Sequence, residues 1–230
     1  MPDFSLVTVC TGPFPMVYVD KLVKKLRFES HLDFDAYCIT DRPLDLPQGV
    51  THIEPSLPVE GWWNKIQVYD RQSMPEGWII YMDLDIVIVN NFDDTIKRIL
   101  EQGDPHKIYC VSDAIGWMDN KFSSSFMMLQ AQHHRYIWNK FRKNHKKIVK
   151  DPGGDQVWVG KNMTPLVEYI DDADKNFKVN LKFHLGKRAG PQWKFPQTID
   201  PKIKMVDCGG RPKPHELAGL SYIRMNWTEI

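Results

Sequence analysis

The chain has 230 residues, 42% of them hydrophobic, and a formal net charge of +1. That length suits one α/β enzyme unit, and the apolar share is enough for a packed core and too high for a disordered chain. The near-neutral balance excludes nucleic-acid wrapping by bulk charge, and no apolar run reaches the roughly 18 residues read as a membrane span.

Phe4 to Cys10 predicts a first strand, broken by Thr11-Gly12-Pro13. Val19, Leu22, Val23 and Leu26 then recur at helical spacing, with Lys and Arg on the other face. Ala36 to Ile39 is a second short strand ended by Thr40-Asp41-Arg42-Pro43. The strand–helix–strand opening predicts a parallel crossover, and the loop from Thr11 to Tyr18 falls at a carboxyl-terminal strand edge. That loop carries no GxGxxG, so a dinucleotide fingerprint is absent. Prolines punctuate residues 43–61 around a strand at Val50 to Ile53. A short helix from Gly61 to Tyr69 carries Lys65, which by itself reads as a solvated lysine.

Trp78 to Val89 (Trp-Ile-Ile-Tyr-Met-Asp-Leu-Asp-Ile-Val-Ile-Val) predicts one strand buried on both faces at mid-sheet. In extended chain Asp83 and Asp85 project to the same side, roughly 6.5–7 Å apart. Two carboxylates there repel, and a hard divalent cation between them is one resolution; two exposed aspartates at a turn is the other.

Phe92, Ile96, Ile99 and Leu100 mark a helix, with Asp93 and Asp94 in its first turn. Ile108 to Ser112 is a strand and Gly116 to Asn120 a loop. Phe122-Ser123-Ser124-Ser125 leads into an apolar strand, its small residues allowing close approach of a ligand or simply opening the strand. Gln130 to Asn144 reads as a helix running into the basic Arg142 to Lys147, a solvated helix end or, secondarily, a contact for an acidic acceptor or membrane surface. Asp151-Pro-Gly-Gly-Asp155-Gln156 enters a further helix, Asp155 read alone being an N-cap. Met163 to Lys187 holds two short strands and a loop, and residues 188–201 an irregular flap. Ile203 to Val206 is the last core strand, ending at Asp207-Cys-Gly-Gly-Arg211-Pro-Lys213-Pro-His215.

Cys10, Cys38, Cys110 and Cys208 show no CxxC or zinc spacing and read as buried free thiols. The N-terminus has no basic segment followed by an apolar one. Together they predict a cytoplasmic protein of one domain, without repeats or a convincing linker.

The order of these pieces resembles the GT-A-fold nucleotide-sugar glycosyltransferases, in particular the retaining family of glycogenin and bacterial galactosyltransferases. The resemblance spans about Phe4 to His215; each motif is short, and the specificity lies in their order and spacing. It implies an α/β, Rossmann-like fold with a mixed, mostly parallel central sheet, with a nucleotide-binding part at about 1–112 and an acceptor part at about 113–230. It implies transfer from a nucleoside-diphosphate sugar, a UDP-sugar in the first instance, to a glycan, protein or small-molecule acceptor, with retention. Asp83 and Asp85 match the DxD that holds Mn²⁺ or Mg²⁺ against the diphosphate. Lys65 matches a donor-side lysine, and Thr11 and Tyr18 lie where the base is contacted. Ser124, within Ser123 to Ser125, matches the strand bordering the sugar, with Ser replacing both Asn and Gly. Asp155 and Gln156 match the pair beside the reacting carbon, and Lys213 a phosphate-binding lysine that Arg211 assists.

One departure stands out. The family's third metal ligand is a His, and here that position is Asp207, with His215 as a second candidate. Two other readings remain: a sugar nucleotidyltransferase, poorly matched by Thr11-Gly12-Pro13, and a carbohydrate- or nucleotide-binding protein of the same fold without turnover.

Overall fold

In the computed structural model, residues 2–12, 14–113, 121–163, 166–189 and 192–229 are described. Two-residue alternation of apolar side chains builds a sheet with a core on each face. The strands are β1 (Phe4–Val9), β2 (Phe34–Ile39), β3 (Val50–Ile53), β4 (Ile79–Met82), β5 (Ile86–Ile88), β6 (Ile108–Ser112), β7 (Phe122–Leu129) and β8 (Val167–Tyr169). All but β5 join a seven-stranded sheet in the order β3-β2-β1-β4-β7-β6-β8. β3, β2, β1 and β4 run parallel, β7 is antiparallel to both β4 and β6, and β8 is parallel to β6. The two halves expected from sequence share this sheet, because β4 of the first pairs with β7 of the second.

Leu6, Ile80, Met82, Phe126 and Met128 face one core, which α1 (Val17–Glu29) and α2 (Asp93–Gln102) cover. Val7, Ile79, Tyr81, Met127 and Leu129, their chain neighbours, face the other. That second core is closed by the 3₁₀ segment Gly61–Tyr69, by α3 (Ala131–Ile148) and by α4 (Gly154–Met163). Burial on both faces is why β4 reads as an uninterrupted apolar run. All four cysteines are buried and unbridged, as expected.

A second, three-stranded sheet has the order β5-β12-β9. β12 (Met205–Asp207) lies antiparallel to β5 and parallel to β9 (Lys178–Asn180). This corrects the sequence reading of Trp78 to Val89 as one strand. The run breaks at Asp83-Leu84-Asp85, where the chain leaves the large sheet and enters the small one. Aspartate favours a turn over a strand interior, and Ile86 N closes the turn onto Asp83 O at 3.2 Å.

Other differences are local. α3 runs four residues past Asn144, so the basic segment is helical throughout. The expected irregular flap holds a short antiparallel pair, β10 (Lys187–Ala189) with β11 (Gln192–Lys194). The loop Gly116 to Asn120 and Pro13 lie outside the described residues.

Candidate active site

The turn Asp83-Leu84-Asp85 is tied to both sheets. Asp83 N donates to Ser125 O of β7 at 2.8 Å, and Asp85 O accepts from Cys208 N, just past β12, at 3.0 Å. Thr8 Oγ1 of β1 donates to Met82 O at 3.0 Å. The two acids therefore sit where the sheets meet, on the wall of a cleft of about 720 Å³. Thr11, Lys65, Ser123, Ser125, Gln156, Asp207 and Lys213 line the same cleft.

Each of three carboxylates has its own lysine. Lys65 Nζ lies 2.9 Å from Asp83 Oδ1 and also donates to Ser124 Oγ at 3.0 Å. Lys213 Nζ pairs with Asp85 Oδ2. Lys178 Nζ, from β9, lies 2.7 Å from Asp207 Oδ2 and donates to Ser125 Oγ at 2.9 Å. The fourth carboxylate, Asp155, accepts from Ser124 Oγ at 3.0 Å, with Lys65 Nζ 3.6 Å away.

These environments push the acids in different directions. Burial, with Asp83 and Asp207 nearby, raises the Asp85 carboxyl against the pull of Lys213. Burial also raises Asp155, opposed by Lys65. At Asp207 burial again disfavours the charge, but Lys178 outweighs it and holds the carboxyl below its usual value. Lys65, though stripped of water, is held above its ordinary value by Asp155 and Asp83.

Among the described residues, no group of three or more His, Cys, Asp or Glu side chains is placed to hold a metal ion. Both Asp207 oxygens are engaged, Oδ2 by Lys178 and Oδ1 by Gly209 N at 2.8 Å. His215 pairs through Nδ1 with the Tyr18 hydroxyl rather than with the acids. Asp83 is engaged as well, Oδ1 by the Tyr81 hydroxyl at 2.6 Å and Oδ2 by Lys65 at 3.0 Å, and Asp85 Oδ2 by Lys213, so a hard divalent ion held by these two acids would displace the lysines from them. Crowding favours such an ion: Asp83 and Asp207 both disfavour the charge on Asp85.

Not every residue singled out in the sequence reaches the cleft. Ser124 and Asp155 stand behind its wall, whereas Ser123, Ser125 and Gln156 line it. Strand alternation is the reason: in β7 Ser123 and Ser125 share one face, and Ser124 takes the other, toward Lys65 and Asp155. Tyr18 is buried on α1, edge-on to Phe14, and it is Phe14 that lines the cleft. Arg211 points outward to Glu216 at 2.9 Å. Thr11 Oγ1 accepts from Asn64 Nδ2 at 3.0 Å.

Lys178 and Trp62 escaped the sequence reading. Lys178 lies in a short strand with no motif of its own. Trp62, 64% exposed at the cleft mouth, packs on Gly154, whose φ of +69° and missing Cβ let the indole come close. Trp62 stands far from Gly154 along the chain, so no local signal in the sequence joined them.

No protein-family model matches the chain, and no curated protein matches it by sequence. Solved structures do match by shape. The galactosyltransferase LgtC, solved with donor and acceptor sugar analogues, superposes with a TM-score of 0.65 at 10% identity, over 98% of this chain and 97% of its own. The glycosyltransferase GlyE of Streptococcus pneumoniae TIGR4 gives 0.67 at 12% identity, over 97% of this chain and 62% of its own. The bifunctional glycosyltransferase WbbM gives 0.61 at 10% identity, over 93% and 47%. The chain thus has the glycosyltransferase-type α/β fold expected from its motif order.

Proposed function

We propose that the protein is a glycosyltransferase that moves a sugar from a nucleoside-diphosphate sugar to an acceptor hydroxyl. The observation that carries this reading is the pair of ion pairs, Lys65–Asp83 and Lys213–Asp85, on one cleft at the junction of the two sheets. The likeness in fold to LgtC and GlyE supports it. A UDP-sugar donor, Mn²⁺ or Mg²⁺, and retention of anomeric configuration complete the proposal.

In transfer, the bond between the anomeric carbon and the phosphate oxygen breaks, and the electron pair leaves with the nucleoside diphosphate. The acceptor oxygen bonds to that carbon on the face the phosphate leaves, and its proton passes to the departing phosphate oxygen. Asp83 and Asp85 would hold the divalent ion, which supplies positive charge to the diphosphate. Lys213, paired with Asp85, adds a cation beside the departing phosphate. Gln156 offers an amide dipole to the positive charge developing on the sugar. Asp155, behind it, holds Ser124 and Lys65 in place. Phe14 and Thr11 offer an apolar and a polar contact for the base.

The test is incubation with Mn²⁺ and a panel of nucleotide sugars. Acceptor-dependent release of a nucleoside diphosphate is the expected result, and Asp83→Asn or Asp85→Asn should lower it by about a hundredfold or more with an unchanged circular dichroism spectrum. Pyrophosphate chemistry, binding without release, or full activity in either variant would refute the proposal.

A further inference from the structure

The solvent face of α3 is basic along its whole length. Arg135, Lys140, Arg142, Lys143, Lys146 and Lys147, with Lys150 in the following turn, are all exposed. No acidic residue occurs from Gln130 to Lys150, while the chain as a whole is nearly neutral. Among the described residues, none of these cations forms an ion pair within the fold. At about 100° per residue they fall within an arc of roughly 160°, opposite the buried Ala131, His134, Ile137, Trp138 and Phe141. The stripe is about 22 Å long at 1.5 Å per residue.

That shape selects the partner. A small anion engages one or two cations, whereas a convex stripe of seven fits an extended array of negative charge. Arg71, Arg135 and Arg142 border one depression of about 310 Å³ on this side, a geometry suited to a phosphate group. Asp70 also borders it but is committed to Ser56 and Ser73. Tyr136, 40% exposed, lies within the same arc, although its hydroxyl donates to Met163 Sδ of α4 at 2.6 Å. At the end of the helix His145 and Lys146 share a cavity with Trp62, which also lines the active-site cleft. An exposed Trp beside a lysine- and arginine-rich helix face is a side chain that settles at headgroup level.

We propose that α3 docks the protein on an anionic phospholipid surface, with the cleft mouth at Trp62 beside the bilayer. This surface is independent of the proposed transfer reaction, and its test reads binding alone. The protein would be sedimented with vesicles of phosphatidylcholine containing phosphatidylglycerol, and with phosphatidylcholine alone. Binding to the anionic vesicles only, weakening as salt rises, is expected. Each cation near such a surface contributes a factor of about five. The variant K143E/K146E/K147E should therefore bind about a hundredfold more weakly with its thermal midpoint kept. Should that variant fail to fold, R135Q/R142Q should bind at least about tenfold more weakly by the same scale. Equal binding to neutral vesicles, undiminished binding by the folded variants, or capture by heparin without binding to vesicles would overturn the proposal.

Discussion

Lys178 changes the meaning of Asp207. From the sequence, Asp207 stands where a third metal ligand is expected, and an aspartate is chemically fit for that role. The strand pairing of β9 with β12 brings Lys178 against it, both side chains almost fully buried. Ser123 and Ser125, on the same face of β7, supply further partners to the ammonium. The three serines are thus accounted for by two lysines: Ser124 serves Lys65, and its neighbours serve Lys178. Removing one member of a buried pair leaves the other uncompensated, at a cost of about 3–5 kcal/mol. Lys178→Met should lower stability by about that amount in a denaturant titration. The same variant frees an Asp207 oxygen beside Asp85. Added Mn²⁺ should then raise the thermal midpoint of the variant more than that of the parent. Equal shifts in the two proteins would mean that Asp207 does not take up the ion even when released.

At the scale of elements, the site depends on how the small sheet is held against the large one. Phe177, just before β9, packs edge-on against Phe126 of β7 at 5.0 Å and against Phe92, ahead of α2, at 5.8 Å. All three rings are buried. This cluster fixes β9, hence Lys178, relative to the strand that carries the serines. Phe177→Ala should cost about 3–5 kcal/mol, the range for a large aromatic removed from a core. A loss under about 1 kcal/mol would mean that the two sheets are held by their shared turn rather than by the cluster. Most of these elements were legible beforehand. Val19, Leu22, Val23 and Leu26 gave α1 its buried face, and the apolar runs gave β1, β4 and β7. The break between β4 and β5 was not legible, because Leu84 keeps the run apolar and is itself buried. Periodicity reports burial, and burial continued through the turn.

Across the whole molecule, long-range pairing carried the remaining information. Asp83, Asp85 and Lys213 were singled out as candidates by motif order, and the fold brings them to one cleft. Lys178 is 29 positions from Asp207, and only sheet pairing makes them neighbours. The opposite fates of Tyr18 and Phe14, or of Ser124 and Ser125, depend on which face each residue takes. Stability against pH likewise belongs to the whole chain. His134 on α3 is fully buried, and burial, aided by His133 and His106, holds its pKa down to about 4 from 6.5. Above about pH 7.5 it is neutral in both the folded and unfolded chain. Below 6.5 the unfolded chain takes up a proton that the folded chain refuses until about pH 4, so this residue removes stability as pH falls through that window. Asp85 and Asp155 act in the opposite sense, because their raised carboxyls bind protons in the folded chain first. Comparing the parent with His134→Leu separates the two effects. Between pH 7.5 and pH 5 the parent should lose about 2 kcal/mol more than the variant, at 1.36 kcal/mol per pH unit of unmatched protonation. Urea unfolding at the two pH values measures the difference, and parallel losses in parent and variant would remove His134 from the account.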